Sequence, residues 1–385
     1  MSVNRMVYAG TAYFGEYARE EILTEAEKRH FKSAFIVTDK DIAECGITGK
    51  VEEVLLKGNI KYDIYKDVKP NPTIENVLSC FEAYSINKSD FIIAVGGGSV
   101  IDTAKAVSVI VNNSENIDVA SLEGIDRSKN FALPLVAVPT TAGTGSETTM
   151  DYVITNKAEK RKMACMDSKA VPVAAILDTE IMASLPLKLT AATAMDALTH
   201  CVESYLSKGA FSFSEALSLK GVSLIAENFM NVLKYPSDLN VRKELAIAQY
   251  MAGMSFTNVG LGIVHSMAHP LSAFYDIPHG VANALILPYV IKFNADVCKE
   301  KMIYLAKAFD SKFEGDDHIR AAEHCAEIVN KFNKEAGLPQ RLAAVNVNKN
   351  DIDELALSAF NDAATGDNMK EVGVEDLKNL YLEMF

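Results

Sequence analysis

The first half of the chain alternates short runs rich in Val, Ile and Phe with stretches of helical apolar spacing. Such runs, bounded by turn residues, are typical of strands, and helices between them predict a parallel sheet with crossover helices. Most of these runs are nearly continuous in apolar residues rather than alternating, as expected when both faces of a parallel sheet are covered. We predict strands at 33–39, 61–68, 90–95 and 133–139.

After about residue 185 the pattern changes, because the long segments carry helical spacing and clear strands are missing. A chain of 385 residues is also too long for a single hydrophobic core. We therefore predict a boundary near Leu185–Pro186, with an α/β domain containing a parallel sheet over 1–185 and an all-helical domain over 186–385. A cleft between the two domains is where we expect the active site.

Composition limits the classes of partner. The formal charge of −13 argues against nucleic acid or an anionic membrane, and favours a small-molecule ligand. The six cysteines are scattered singly without a CxxC pair, which predicts reduced thiols. The sequence has neither a signal-peptide core nor an apolar stretch of about 18 residues. We therefore expect a cytoplasmic protein.

A glycine cluster separates the strand at 90–95 from a helix that is expected to begin near Val100. Backbone N–H groups of Gly97 and Gly98 in such a turn can approach a phosphate, whose charge the helix N-terminus favours. The cluster is not GxGxxG, because Ile101 occupies the third glycine position, and a simple tight turn is the alternative.

Two other predicted strand ends carry chemistry suited to a nucleotide. The segment 139–147 (PTTAGTGSE) combines hydroxyls with two glycines, which can supply donors to a pyrophosphate or a nicotinamide amide; a polar turn is the alternative. Asp39 ends the first predicted strand, where a carboxylate can accept hydrogen bonds from both adenosine ribose hydroxyls and repel a 2′-phosphate. Asp39 then selects NAD over NADP, whereas a helix N-cap is its structural alternative.

Four of the seven histidines fall within one 80-residue stretch of the second half. Asp196 and His200 are four residues apart in a helical segment, so both side chains point the same way, and His265 and His269 repeat that spacing. With His279 at a helix entry after Pro278, these segments supply one carboxylate and two or three imidazoles, a donor set suited to Fe²⁺ or Zn²⁺. Buried structural histidines are the alternative, and the absence of HExxH argues against a zinc protease.

The helical run around His265 supplies two further candidates. Phe256 lies about two and a half turns before His265 on the same predicted run, and we expect it to form an apolar wall of the substrate pocket. His269 is one turn beyond His265, and we expect it to relay a proton or to orient a ligand. Pro270 is expected to close this helix.

Four segments together resemble the iron-containing (group III) alcohol dehydrogenases over essentially the whole chain: GGGSVIDTAK, PTTAGTGSE, MDALTHCVESY and GLGIVHSMAHPLSAFYDIPHGVANALILP. The resemblance implies an NAD-dependent enzyme that interconverts a small alcohol or diol and its aldehyde. It also implies Fe²⁺, or in some members Zn²⁺, and a homodimer or larger homo-oligomer. FIVTDK, KPNPTI, KRK and HPLSAFY are similar to the subgroup acting on lactaldehyde and 1,2-propanediol, whereas members acting on 1,3-propanediol usually read HQLGG.

The resemblance also implies roles for single residues. It makes Asp196, His200, His265 and His279 the metal ligands, with His269 near the metal. Asp151 stands where lactaldehyde-type members have Asn facing the substrate, so its carboxylate can alter which hydroxyls are accepted. The implied nucleotide contacts are Asp39, Gly97, Gly98, Thr140, Thr141 and Lys162, to which we add Asn71, Ser99, Asp102 and Thr144.

Other activities remain open at this point. A non-redox lyase resembling dehydroquinate synthase also uses NAD and a metal, but it needs clustered Lys and Arg for phosphorylated acids, and 256–290 contains neither residue. A protein that merely binds NAD is disfavoured by the intact metal motifs. Oxidation of 1,3-propanediol, glycerol or another primary alcohol differs from the first hypothesis only in substrate.

Overall fold

The computed structural model describes residues 3–113, 118–159 and 161–385. The chain divides by its contacts into two compact units. One comprises Met6–Leu185, and the other comprises Pro186–Phe385 together with Arg5 and the described residues before it. Within the part of the chain that the structure describes, every helix is too short or too polar to span a bilayer.

The strands of the described residues all lie in Met6–Leu185, and they are β1 (Ala12–Gly15), β2 (Ser33–Val37), β3 (Lys61–Tyr65), β4 (Phe91–Gly96), β5 (Gly124–Ile125), β6 (Leu135–Pro139), β7 (Asp151–Asn156), β8 (Arg161–Met166) and β9 (Ala174–Asp178). Six of them form a sheet in the order β1-β9-β6-β4-β2-β3, in which every neighbouring pair is parallel. A smaller sheet has the order β5-β8-β7, with β7 and β8 antiparallel. The predicted parallel sheet is confirmed.

The helices of this unit are α1 (Glu21–Arg29), α2 (Lys40–Glu44), α3 (Ile47–Lys57), α4 (Ile74–Asn87), α5 (Gly98–Asn112) and α6 (Thr179–Ala183). Alternate residues of one strand belong to different apolar clusters: Ile92 and Ala94 pack in one, and Ile93 and Val95 in the other. Both faces of the sheet are therefore buried at β4, which explains why this strand is apolar along its length.

The unit Pro186–Phe385 is helical, with no strand among its described residues, and this also agrees with the prediction. Three long helices, α7, α8 and α9, pack against one another, and α11 packs against α7. The helices are α7 (Leu187–Leu206), α8 (Ser212–Lys234), α9 (Leu239–Val259), α10 (Ile263–Tyr275), α11 (His279–Asn294), α12 (Lys299–Phe309), α13 (His318–Glu335), α14 (Ile352–Phe360) and α15 (Val374–Glu383).

The prediction that Pro270 closes its helix is wrong. Helix α10 continues through Pro270 to Tyr275 and ends where Asp276 adopts a left-handed conformation with φ of 53°. A proline removes one backbone donor, but here its turn is buried and the hydroxyl of Tyr381 donates to the nearby carbonyl of Met267 at 2.6 Å. Tertiary packing therefore outweighs the helix-breaking preference.

The prediction that Phe256 and His265 share one helical run is also wrong. Phe256 belongs to α9, which ends at Val259, and His265 belongs to α10. The break falls at Gly260, whose φ of 78° is in the left-handed region, and α10 restarts after its N-cap residue Gly262.

Candidate metal centre and cofactor loops

Three predicted cofactor residues follow neighbouring strands of the main sheet. Asp39 comes after β2, Gly97 after β4 and Thr140 after β6, and β4 pairs in parallel with both other strands. The carboxyl ends of parallel strands lie at one edge of the sheet, where open α/β sheets bind their ligands. The backbone N–H of Thr140 donates to the carbonyl of Gly96 at 3.0 Å, which joins two of these strand ends directly.

The glycine turn and the hydroxyl-rich loop lie against each other. A Cβ atom built on Gly98 would lie 2.8 Å from Cγ2 of Thr144, and one on Gly97 would lie 3.7 Å from the side chain of Thr141. Gly98 is thus required for close approach of the two loops. Helix α5 begins at Gly98, so Ser99 lies in its first turn, where free N–H groups can bind an anion.

Asp102 ties helix α5 to the hydroxyl-rich loop and to β7. One of its carboxylate oxygens accepts from the Ser146 hydroxyl at 2.7 Å, and the other accepts from the Val153 N–H at 3.0 Å. Thr144 accepts from the N–H of Ser146 at 3.3 Å. Asp102 therefore supports the loop, and a direct contact with a cofactor stays a prediction.

Asp39 is the N-cap of α2, which was the structural alternative for this residue. Its Oδ1 accepts from the N–H of Ile42 at 2.8 Å. Burial raises the pKa of its carboxyl, and the backbone donor of Ile42 opposes that shift. Capping engages Oδ1, so it is compatible with a ribose contact through the other carboxylate oxygen.

The other two predicted cofactor residues are brought together from distant parts of the sequence. The ammonium of Lys162 on β8 donates to Oδ1 of Asn71 at 3.1 Å, across 91 positions of the chain. Asn71 has a left-handed φ of 51°. Asp151, the predicted substrate residue, begins β7, and its carbonyl accepts from the buried ammonium of Lys105 at 2.8 Å.

Three of the predicted metal ligands converge in the helical unit. One ligand atom each from Asp196 on α7, His265 on α10 and His279 on α11 lie within 4.8 Å of one another. Asp196 and His265 are buried, whereas the side chain of His279 is one-third exposed. One carboxylate oxygen and two imidazole nitrogens at this spacing are a donor set that fits Fe²⁺ or Zn²⁺.

His200 lies beside these three residues, outside the set whose ligand atoms lie within 4.8 Å of one another. Its ring stacks on that of His265 with centroids 4.6 Å apart, and on that of Phe256 with centroids 4.4 Å apart. The helical spacing therefore brings His200 to the same place as Asp196, but its ring faces its aromatic neighbours. Phe256 thus contacts a predicted ligand, even though it does not share a helix with His265.

His269 lies at the more exposed side of the cluster. Its ring stacks on His279 with centroids 5.4 Å apart, and its Nδ1 lies 2.7 Å from Oδ2 of Asp362. The side chain of His269 is 35% exposed, against 2% for His265. Of the two histidines on α10, only His269 is therefore open to proton exchange with solvent.

Three polar residues around the cluster were not anticipated from the sequence: Glu203, Asn283 and Asp362. The amide nitrogen of Asn283 donates to Oδ1 of Asp196 at 2.7 Å and lies 3.3 Å from His265 Nε2 and 3.2 Å from His279 Nε2. Asn283 follows His279 by one helical turn, a spacing that could have pointed to it. Asp362 lies 93 positions from His269, and no local pattern links the two.

Burial at this cluster disfavours the charged forms of its side chains. Burial raises the pKa of the Asp196 carboxyl and raises that of Glu203 to about 8, while it lowers the pKa of His265 well below its usual value. A divalent cation reverses this balance, because it stabilises deprotonated carboxyls and imidazoles. The residues present therefore fit a metal ion both in donor type and in electrostatics.

A glycine sets the distance between two ligand-bearing helices. A Cβ atom at Gly280, the residue after His279, would overlap the carbonyl oxygen of Ala192 on α7 and lie 3.3 Å from Cβ of Asp196. Only glycine allows α11 to approach α7 this closely, so Gly280 helps to bring His279 to Asp196.

Comparison with known proteins places the chain in a family. Residues 9–179 match the family model for iron-containing alcohol dehydrogenase, and residues 190–385 match that for the C-terminal part of the Fe-containing alcohol dehydrogenase family. The chain is 42% identical to lactaldehyde reductase of Escherichia coli (strain K12), over 98% of each protein. It is 34% identical to 1,3-propanediol dehydrogenase of Klebsiella pneumoniae, over 97% of this chain and 96% of that one. A solved alcohol dehydrogenase from Oenococcus oeni superposes with a TM-score of 0.96 at 32% identity, covering 100% of both chains. The chain belongs to the iron-containing alcohol dehydrogenase family of oxidoreductases.

Proposed function

We propose that this protein is an NAD-dependent oxidoreductase that requires a divalent metal, most suitably Fe²⁺, and interconverts lactaldehyde and 1,2-propanediol. The observation that carries the proposal is the convergence of Asp196, His265 and His279, whose ligand atoms lie within 4.8 Å of one another. Zn²⁺ suits the same donors. A pure binding protein has no need of such a set.

Separate groups of residues would bind the metal ion and the nucleotide. Asp196, His200, His265 and His279 would hold the cation, and the strand-end loops with Asp39, Gly97 and Thr140 would hold NAD. When bound, the cation supplies Lewis-acid stabilisation of negative charge on the substrate oxygen, and NAD accepts or donates the hydride. Asp39 would bind the adenosine ribose and repel the 2′-phosphate of NADP.

His269 would move the proton that accompanies hydride transfer. Its Nδ1 faces the carboxylate of Asp362 at 2.7 Å, which fixes the ring and leaves Nε2 for exchange. Its exposure connects it with solvent, whereas the buried His265 has no such path. His269 then carries the proton between the substrate oxygen and water.

Two features support the substrate assignment. The chain is 42% identical to a lactaldehyde reductase and 34% identical to a 1,3-propanediol dehydrogenase, at similar coverage. After His269 it reads Pro270-Leu271-Ser272 rather than QLGG, the form expected of 1,3-propanediol enzymes. Phe256 is proposed as an apolar wall of the pocket, and Asp151 as a residue that modulates which hydroxyls are accepted.

The decisive experiment follows oxidation of NADH by Fe²⁺-loaded protein with lactaldehyde, glycolaldehyde, 3-hydroxypropanal and butanal. We expect the highest kcat/KM with lactaldehyde, and little activity when NADPH replaces NADH. Chelation should abolish activity and fresh Fe²⁺ should restore it. His265→Ala should be inactive, whereas His318→Ala, at the start of α13, should not differ from the unchanged protein. Full activity of metal-free protein would overturn the metal assignment, and preference for 3-hydroxypropanal would overturn the substrate.

A further inference from the structure

Helix α10, which carries His265, begins without a capping side chain of its own. Its N-cap residue is Gly262, and the first N–H groups of a helix have no partner within the helix. The carboxylate of Glu203, on α7, takes this place: its Oε1 accepts from the N–H of Val264 at 2.6 Å. A Cβ atom at Gly262 would lie 2.8 Å from the same oxygen, so the glycine leaves room for the carboxylate.

The second oxygen of Glu203 faces the predicted ligand. Oε2 lies 2.5 Å from Nδ1 of His265, and the glutamate side chain is only 4% exposed. The other ring nitrogen, Nε2, points toward the cluster, since it lies 3.3 Å from the amide nitrogen of Asn283, which in turn donates to Asp196. Nδ1 thus contacts Glu203, and Nε2 lies on the side of Asp196 and Asn283.

We propose that Glu203 is a positioning residue of the metal centre, which holds a proton on Nδ1 of His265 and thereby keeps Nε2 as the metal-binding atom. This inference rests on the proposed metal dependence. Carboxylates in such a position fix the ring and raise the basicity of the ligating nitrogen.

The contacts of Glu203 with the N–H of Val264 and with Nδ1 of His265 make glutamine an informative replacement. A carboxylate accepts hydrogen bonds through both oxygens, whereas an amide has one acceptor and one donor group. If the glutamine oxygen faces Val264 N–H, its NH₂ group donates to Nδ1 and forces the ring proton onto Nε2, which blocks metal binding. If the oxygen faces Nδ1, the glutamine NH₂ group faces the N–H of Val264, so two donors lie opposite each other without an acceptor. The first orientation opposes metal binding directly and retains the helix cap, whereas the second keeps Nε2 available for the metal only at the cost of the cap that precedes His265.

The test measures binding of Co²⁺, a spectroscopic probe, to metal-free full-length protein by its visible absorbance, with Zn²⁺ competition for affinity. We expect Glu203→Gln to weaken binding about 10- to 100-fold. Glu203→Asp keeps the carboxyl group but shortens the side chain, and its Co²⁺ affinity should lie between those of the unchanged protein and Glu203→Gln. Glu25→Gln is the matched control, because Glu25 is equally buried and accepts from Tyr13 and Arg29 in the other unit. Thermal unfolding of each metal-free variant reports folding separately.

The outcomes separate this inference from the proposed function. If the unchanged protein binds Co²⁺ and Glu203→Gln binds it within twofold as tightly, Glu203 is only a helix cap and the inference is overturned. If the unchanged protein binds neither Co²⁺ nor Zn²⁺, the proposed metal dependence itself fails. Should Glu203→Gln not fold, ¹⁵N spectra of the histidine rings in the Zn²⁺-loaded unchanged protein decide: a proton on Nδ1 of His265 supports the inference, and a metal bond at Nδ1 contradicts it.

Discussion

The side-chain amide of Asn283 donates to Oδ1 of Asp196 at 2.7 Å and lies within hydrogen-bond distance of His265 Nε2 and His279 Nε2. An uncharged amide group therefore lies beside the oxygen and nitrogen atoms that would bind a cation. Replacing it by a carboxylate places a second negative charge next to Asp196, which is unfavourable until a cation binds.

We accordingly expect Asn283→Asp to lower the thermal unfolding temperature of metal-free protein and to increase the stabilisation produced by Zn²⁺. Differential scanning fluorimetry with and without Zn²⁺ measures both effects. Asn240→Asp, on the exposed first turn of α9, controls for the added charge. Equal Zn²⁺ stabilisation in Asn283→Asp and the unchanged protein would contradict the expectation.

His269→Ala should lower kcat by about 100-fold, the contribution typical of a positioned proton-transfer group. Asp362→Asn should cause a smaller loss, because the asparagine oxygen can still accept from Nδ1. Steady-state kinetics as a function of pH are the measurement. His324→Ala removes a comparable histidine–carboxylate pair, that with Asp310 at 3.2 Å, and should have no effect. Unchanged kcat and an unchanged pH profile in His269→Ala would rule out the relay.

Phe256→Ala should raise the kcat/KM for bulkier alcohols relative to 1,2-propanediol, because it removes the proposed apolar wall. Since Phe256 also stacks on His200, Co²⁺ binding should be measured on the same variant. Phe256→Leu retains most of the volume and should change specificity less. A uniform loss of activity on all substrates would instead indicate that Phe256 serves core packing.

Asp39→Asn should increase the kcat/KM ratio for NADPH over NADH about tenfold or more, equivalent to about 1.4 kcal/mol, because the repelling charge is removed. Asn caps helices about as well as Asp, so stability should not change, whereas Asp39→Ala should lose about 1 kcal/mol with the cap of α2. Cofactor titrations and chemical unfolding separate the two effects. An unchanged cofactor ratio in Asp39→Asn would mean that the carboxylate acts only as a cap.

Glu147 provides a pH-dependent test of the loop after β6. Burial raises the pKa of its carboxyl from 4.5 to about 7, opposed by its own backbone N–H and by Lys105. A carboxyl whose pKa is raised by folding stabilises the fold fully below its unfolded value and loses that contribution as pH rises through the folded value. Glu147→Gln should therefore be more stable than the unchanged protein at pH 8, by up to about 3 kcal/mol, and not at pH 4.5. Denaturant midpoints measure this, with the exposed Glu300→Gln as control; equal midpoints at pH 8 would contradict the expectation.

The fold was largely predictable because its signals are local. Strands β2, β3, β4 and β6 are dense in branched or aromatic residues, whereas β9 is alanine-rich and β1 is a four-residue edge strand, so neither stood out. Pro270 and the break at Gly260 misled the helix assignment, because burial around Pro270 and a left-handed glycine override simple periodicity.

The candidate site was predictable only where its residues share a helix or follow a strand. The i,i+4 spacing indicated that Asp196 and His200 lie on one face, but ring orientation depends on Phe256 and His265, which come from other helices. The pairing of Asn71 with Lys162 likewise depends on tertiary contacts. A glutamate among apolar residues, as in the segment HCVESYL around Glu203, was a signal of burial, although its partner could not be read from spacing.

Gly280 contributes no donor atom, yet it governs whether the donors on α7 and α11 can meet. A relative that retained every aspartate and histidine of the set but carried alanine at this position would satisfy a search for ligands. Helix α11 of such a relative would nevertheless be displaced from α7, and the histidine corresponding to His279 would move with it. Gain or loss of metal chemistry in such chains can therefore turn on a single methyl group.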